Sequence, residues 1–288
     1  MYKLVELPLE ENGEKNITEE YAVRLIETSK LLGIHMRSFA YYQIVKRNLC
    51  DFLTYIYNQQ GKMEEVDTIE CNRWLYNFVD TFYSFINYYE KNYKSEFAVV
   101  KKQIYDTYFE YRFIYNLRNY MVHQDLGVLK KTTYFNSDKI EVDFKVSKSK
   151  LQQSTGCQKP FARELKTRND ISENISIKTV VEPFVKILLE LQKEMLIALS
   201  PMILEQFKLI TDCTPNQREV YLTKDGAIVN GMLNVSTKYY AALADDFVYD
   251  ENLMLDLKVK EIFMKFSRLY YGQEGVIYNS KKLNHIIK

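Results

Sequence analysis

One pattern limits this chain more than any other. Apolar and aromatic residues recur every three to four positions between Ser95 and Gln124, at Val100, Ile104, Tyr108, Tyr111, Ile114, Tyr115, Met121 and Val122. That spacing lines one face of an α-helix and does not suit a strand. Ser95 with Glu96 supplies a start and Gly127 a stop. Two further runs of the same period precede it. The first spans roughly 19–58, with Thr18 as its cap and a break expected near Gly33. The second spans roughly 68–94, with Asp67 as its cap. Trp74, Phe78, Phe82, Phe85 and Tyr89 read as its buried stripe, with Trp74 anchoring the core. Three long amphipathic helices in succession predict an up-down bundle.

After Gly127 the period drops to two. Val128–Phe135 and Lys139–Val146 alternate, and Asn136-Ser137-Asp138 supplies turn residues, which predicts a β-hairpin. The segment from Lys145 to Arg168 is locally basic, with Glu164 as its one acid. It reads either as a phosphate-tracking patch or as a solvated connector. Helical spacing returns over Lys178–Thr211, with Pro183 in the first turn and a kink or split at Ser200-Pro201. Beyond it, Glu219–Thr223 and Ala227–Leu233 flank Lys224-Asp225-Gly226, a hairpin signal. Helices are expected near Thr237–Ala244 and Asn252–Tyr271. The expected fold class is therefore mainly α. Residues 1–212 form a helical bundle, with the hairpin and connector inserted at about 128–178. Residues 213–288 form a small α+β extension.

The third helix also carries the most chemically suggestive polar set, Arg118, Asn119 and His123. Arg118 falls near the apolar stripe, four residues after Ile114 and four before Val122, where a charge must be paired or face a cleft. Asn119 and His123 share a face, so the amide could fix the imidazole tautomer. Arg118 and His123 are five apart, about 140° on an ideal helix. One helix does not easily close them into a pair, whereas two copies about a two-fold axis could. The other histidines lack this setting, since Lys30 stands five before His35 and Ser280 five before His285.

Arg118-Asn119-Tyr120-Met121-Val122-His123, near the end of a bundle helix, resembles the Arg-x4-6-His motif of the HEPN family. The resemblance covers about residues 19–128. It implies a composite active site at a homodimer interface made by the motif helices, with RNA as substrate. Arg118 would steady the scissile phosphate, His123 would handle the proton, and Asn119 would be the polar neighbour. Cleavage of this kind uses the RNA's own 2′-hydroxyl, needs no metal and leaves a cyclic phosphate. The resemblance also implies a toxin or antiviral (abortive infection) role, with an antitoxin or sensor protein as a further partner. Some toxin members carry a Tyr two residues after the His, which a partner nucleotidyltransferase modifies. Asp125 stands there, so that route of neutralisation is not expected. Other HEPN domains bind nucleotides, RNA or proteins without cutting, and this is the alternative function. A third reading is a helical interaction protein in which the motif is accidental.

Composition narrows the choice of surface. Lys and Arg total 39 against 38 Asp and Glu, so any RNA contact must be local. The candidate RNA-binding cations are Lys130 and Lys131 in the first hairpin strand, with Lys145, Lys148 and Lys150. Four cysteines, at 50, 71, 157 and 213, and three scattered histidines give no metal spacing, so neither metal nor cofactor is expected. The opening MYKLVELPLEENGEK does not read as a signal peptide and no 18-residue apolar run exists, so the expectation is a cytoplasmic protein without a membrane partner. No P-loop, dinucleotide fingerprint or nucleophile elbow occurs.

Overall fold

A computed structural model describes residues 1–7, 14–59, 68–128, 130–136, 139–213, 219–225 and 227–230. In chain order its elements are β1 (Tyr2–Leu7), β2 (Glu14–Ile17), α1 (Glu19–Asn58), α2 (Thr68–Asn92), α3 (Lys94–Thr107), α4 (Phe109–His123), β3 (Lys130–Asn136), β4 (Lys139–Ser147), α5 (Lys148–Gln153), α6 (Lys159–Thr167), β5 (Asn174–Ser176), α7 (Ile177–Cys213), β6 (Glu219–Lys224) and β7 (Ala227–Asn230). The fold is mainly helical with two small antiparallel sheets. Among the described residues no helix is long and apolar enough to cross a membrane. The chain divides into two compact units, Met1–Arg37 with Leu196–Lys288, and Ser38–Met195.

In the first unit the sheet runs β2-β1-β6-β7. Asp225 makes the β6–β7 turn with φ 49°, the left-handed conformation that Asp tolerates in tight hairpins. The helices expected near Thr237–Ala244 and Asn252–Tyr271 lie outside the described residues. So does the Asp67 cap. Thr18 does cap α1, its Oγ1 accepting from the Tyr21 N–H at 3.2 Å. Neither Gly33 nor Pro201 divides its helix. At Gly33 the apolar stripe continues unbroken through Leu25, Leu32 and Phe39, all buried, and a continuous buried face outweighs the weak helix propensity of one glycine. α7 begins at Ile177, which puts Pro183 in the second turn.

The second unit holds the motif. Its core is rich in aromatic rings, and α2 supplies four of them, Phe78, Phe82, Phe85 and Tyr89. Phe82 meets Phe184 at 4.9 Å and 89° and Tyr111 at 5.6 Å and 86°, and Phe78 meets Phe184 at 5.5 Å and 71°. These are edge-to-face contacts, which the ring quadrupole favours over sandwich stacking. The buried α2 stripe is Cys71, Leu75, Phe78, Phe82, Phe85 and Tyr89. Trp74 lies off it, half-buried, with the Arg73 guanidinium 4.2 Å from its ring centre. It is therefore not the core anchor that its apolar bulk suggests. The expected hairpin is present as β3 and β4, paired from Lys130↔Lys145 to Asn136↔Lys139. β5 adds a third strand, with Val146 opposite Ile175. Phe144 of β4 turns inward to Tyr55 of α1 at 6.1 Å.

The long helix expected over Ser95–Gln124 is two helices. They break at Tyr108, whose backbone is extended at φ −109° and ψ 117°. No Gly or Pro marks the place, and the break is held from outside. Arg112 Nη1 donates to the carbonyls of Tyr105 and Asp106, closing the C-terminal end of α3. The rest of its fork, Nε and Nη2, grips both oxygens of Glu164 on α6 at 2.8 Å each. Tyr108 Oη donates to Glu190 on α7 at 2.6 Å.

Arg112 and Glu164 are 15% and 22% exposed, so removing one leaves the other's charge poorly solvated. Arg112→Ala is expected to cost about 2–4 kcal/mol, read from urea unfolding followed by Trp74 fluorescence. A loss below about 0.5 kcal/mol would show that packing alone sets the break. His35 gives a pH dependence. It is buried on α1, and burial holds its pKa down at about 4, against an ordinary value of 6.5. The unfolded chain thus binds this proton more tightly than the folded one. Stability from this site is complete above pH 6.5 and falls as pH drops from 6.5 towards 4. His35→Gln should flatten that part of the urea-midpoint profile, and an unchanged profile would exclude His35 as its source.

Candidate active site on the fourth helix

α4 is amphipathic by its own spacing. Tyr111, Phe113, Ile114, Leu117 and Tyr120 are buried, and its polar residues emerge on two sides. On one side is Arg118. Its Nε and Nη2 donate to Asp80 Oδ1 of α2 at 3.2 and 3.0 Å, and its guanidinium carbon lies 3.9 Å from the Tyr83 ring centre. Asp80 and Tyr83 are three apart on α2, so they present one carboxylate and one aromatic face to the same cation. Arg118 is 18% exposed. The charge near the apolar stripe is thus paired inside the bundle.

His123 is on the other side. It is the last residue of α4 and is exposed. Beside it runs the turn between α5 and α6, which passes so close that Gly156 has no room for a side chain. A Cβ there would stand 2.7 Å from the Asn119 carbonyl oxygen and 3.4 Å from His123 Cβ. Asn119 is half-buried under this turn. Among the described residues no hydrogen bond joins Asn119 to His123, so the expected fixing of the imidazole by the amide is not seen. Within one chain Arg118 faces α2 and His123 faces the α5–α6 turn, as their angular separation on the helix requires.

Two asparagines that the sequence reading passed over hold this end of the molecule together. Asn116 is fully buried. Its Nδ2 donates to the Arg112 carbonyl at 2.7 Å, and its Oδ1 accepts from the Gln158 N–H at 2.7 Å. Asn72 of α2 is paired with the backbone of Val128, accepting from its N–H at 2.8 Å and donating to its carbonyl at 2.9 Å. Further ties run from Gln124 to Thr155 at 3.2 Å and from Lys150 to Asp125 at 2.9 Å. Lys150 and the Leu126 N–H hold the Asp125 carboxyl below its ordinary pKa. The signal for both asparagines was present, since each is a polar residue standing on an otherwise apolar helical stripe.

Three of the candidate RNA-binding lysines have partners in the fold. Lys145 lies between Tyr134 Oη at 2.6 Å and Asp143 at 3.7 Å and is 14% exposed. Lys148 donates to the carbonyls of Arg168 at 2.8 Å and Ile171 at 3.1 Å, bracing the loop before β5. Lys150 is taken by Asp125 but remains half-exposed. Lys131 is half-buried, and the backbone of Lys130 sits opposite Lys145.

Gly156→Ala tests the close approach. The new methyl must move backbone, because the nearest atoms are a carbonyl oxygen and carbon. A loss of about 1–3 kcal/mol is expected, together with shifted amide resonances at Asn119 and His123. An unmoved urea midpoint and spectrum would show that the turn does not rest on α4.

Compared with known proteins, the chain matches no family model, no curated protein and no solved structure.

Proposed function

We propose that this chain is a metal-independent endoribonuclease of the HEPN type, whose active centre forms where two copies bring their α4 helices together. The supporting observation is the placement of the motif. His123 stands exposed at the C-terminal end of α4, while Arg118 is held on the helix's other side by Asp80 and Tyr83. A second copy would complete what one chain leaves apart. Val122 and Leu126, 39% and 50% exposed on either side of His123, offer apolar surface for that contact.

The chemistry follows from the side chains. His123 takes the proton of the ribose 2′-hydroxyl, whose oxygen attacks the adjacent phosphorus. The bond from phosphorus to the 5′-oxygen breaks, and that oxygen receives a proton from imidazolium. The products are a 2′,3′-cyclic phosphate and a free 5′-hydroxyl. Arg118 binds Asp80 through Nε and Nη2, so Nη1 is the donor that would meet the charge developing on the phosphate oxygens. Asn119 lies under the α5–α6 turn, its carbonyl against Gly156, and is the polar neighbour of the pair. The same resemblance that suggests this chemistry suggests a toxin or antiviral effector. One observation favours the non-catalytic alternative, an RNA- or protein-binding module: the Arg118 charge is already answered by Asp80.

The full chain, Arg118→Ala and His123→Ala are incubated with total RNA and tRNA in excess EDTA, and the new ends are mapped. Wild type is expected to leave cyclic phosphates. His123→Ala should be slower by about 10²–10⁴-fold and Arg118→Ala by about 10²–10³-fold. Equal cutting by all three would rule out this centre. RNA binding without cutting, weakened by Arg118→Ala, would establish the binding module.

A further inference from the structure

The lysines first expected to hold RNA are largely engaged, but another face of the same unit carries cations that are not. A groove of about 470 Å³ opens between the C-terminal part of α2 and the length of α3. Its walls include Glu90, Lys94, Phe97, Lys101, Lys102 and Tyr105. The volume is that of a small-ligand site, and five of its eight lining residues are charged, which suits a charged ligand. Lys101 is ion-paired with Glu90, so those two charges cancel. Lys94 and Lys102 have no hydrogen-bond or ion-pair partner among the described residues, and they outnumber the one remaining wall carboxylate, Asp106. Eight residues separate them, about 12 Å along the helix, far enough to hold two different phosphates.

The groove is also joined to the motif. Lys101 Nζ lies 5.3 Å from the Tyr115 ring centre, Tyr115 lies 5.7 Å from Tyr83, and Tyr83 carries the Arg118 guanidinium at 3.9 Å. Two neighbouring rings therefore lead from the cation in the groove to Arg118. This is the arrangement by which single-stranded nucleic acid is held, with rings for bases and ammonium groups for the backbone.

We propose that the α2–α3 groove binds single-stranded RNA, with phosphates on Lys94 and Lys102 and a base against Tyr105, and that the strand continues over Tyr115 and Tyr83 to Arg118. This rests on the nuclease reading only for where the strand leads. Binding by the groove is a separate property.

Affinity of the full chain carrying His123→Ala, which prevents turnover, is measured by the anisotropy of a short fluorescein-labelled oligouridylate over a series of salt concentrations. Adding Lys94→Glu and Lys102→Glu should weaken binding by at least about tenfold and make the salt slope shallower by about 1.4, at roughly 0.7 per phosphate. Tyr105→Leu should weaken binding by about fivefold or more with the slope unchanged, because stacking carries no counterions. The charge-matched pair Lys30→Glu and Lys186→Glu, exposed on α1 and α7, should change affinity less than about twofold. No binding by the His123→Ala chain, equal weakening by both lysine pairs, or no effect of the groove pair would each overturn the proposal. Cleavage by the wild-type chain is scored separately. RNA held in the groove but never cut removes the nuclease and keeps the groove. RNA cut by wild type but bound independently of Lys94 and Lys102 does the reverse.

Discussion

The fork of Arg112 is the constraint on which the motif region depends. One guanidinium nitrogen closes the last carbonyls of α3, and the others hold both oxygens of Glu164. A single cation thus fixes where α3 ends, the direction in which α4 leaves, and where α6 lies against it. The adjacent turn adds to the same connection, since Asn116 hands the Arg112 carbonyl on to the backbone of Gln158. The positions of Arg118 and His123 depend on this break, because a helix running straight through Tyr108 would carry the motif elsewhere.

Much of this fold was legible in the residues, and each failure has its own physical cause. The helices could be read because their apolar spacing repeats over many turns, and the β3–β4 hairpin because its alternation does. The break at Tyr108 could not, because its cause sits at Glu164 and Glu190, distant in sequence, and the apolar spacing runs through it undisturbed. The six residues of α5 and nine of α6 are too few to establish a period, so a folded segment resembled a connector. Trp74 misled by bulk. It follows the four-residue step to Phe78 but lies off the face that Cys71 and Leu75 define.

The candidate site shows the same division. The residue types and spacing on α4 were legible, as was the angular conflict between Arg118 and His123. Their surroundings were not. That Asp80 and Tyr83 would take the guanidinium depends on how α2 and α4 pack, and that Gly156 would press on Asn119 depends on a turn with no local signature. The lysines are the clearest case. Counting charges between Lys145 and Arg168 gives a basic patch, but Lys145 and Lys148 are occupied by a tyrosine, a carboxylate and two carbonyls. A sequence counts cations, and only packing distinguishes those that are free to meet a ligand from those already bound.

The pairing of Asn72 with Val128 has a consequence for how this architecture can vary. One buried amide reproduces both hydrogen bonds of a strand neighbour and secures the chain five residues beyond His123. The end of α4 is therefore closed off before the hairpin begins. Lengthening of the connection between β3 and β4 would be absorbed on the far side of this clasp, whereas Val142, Phe144 and Val146 of β4 are buried and hold that strand to the bundle.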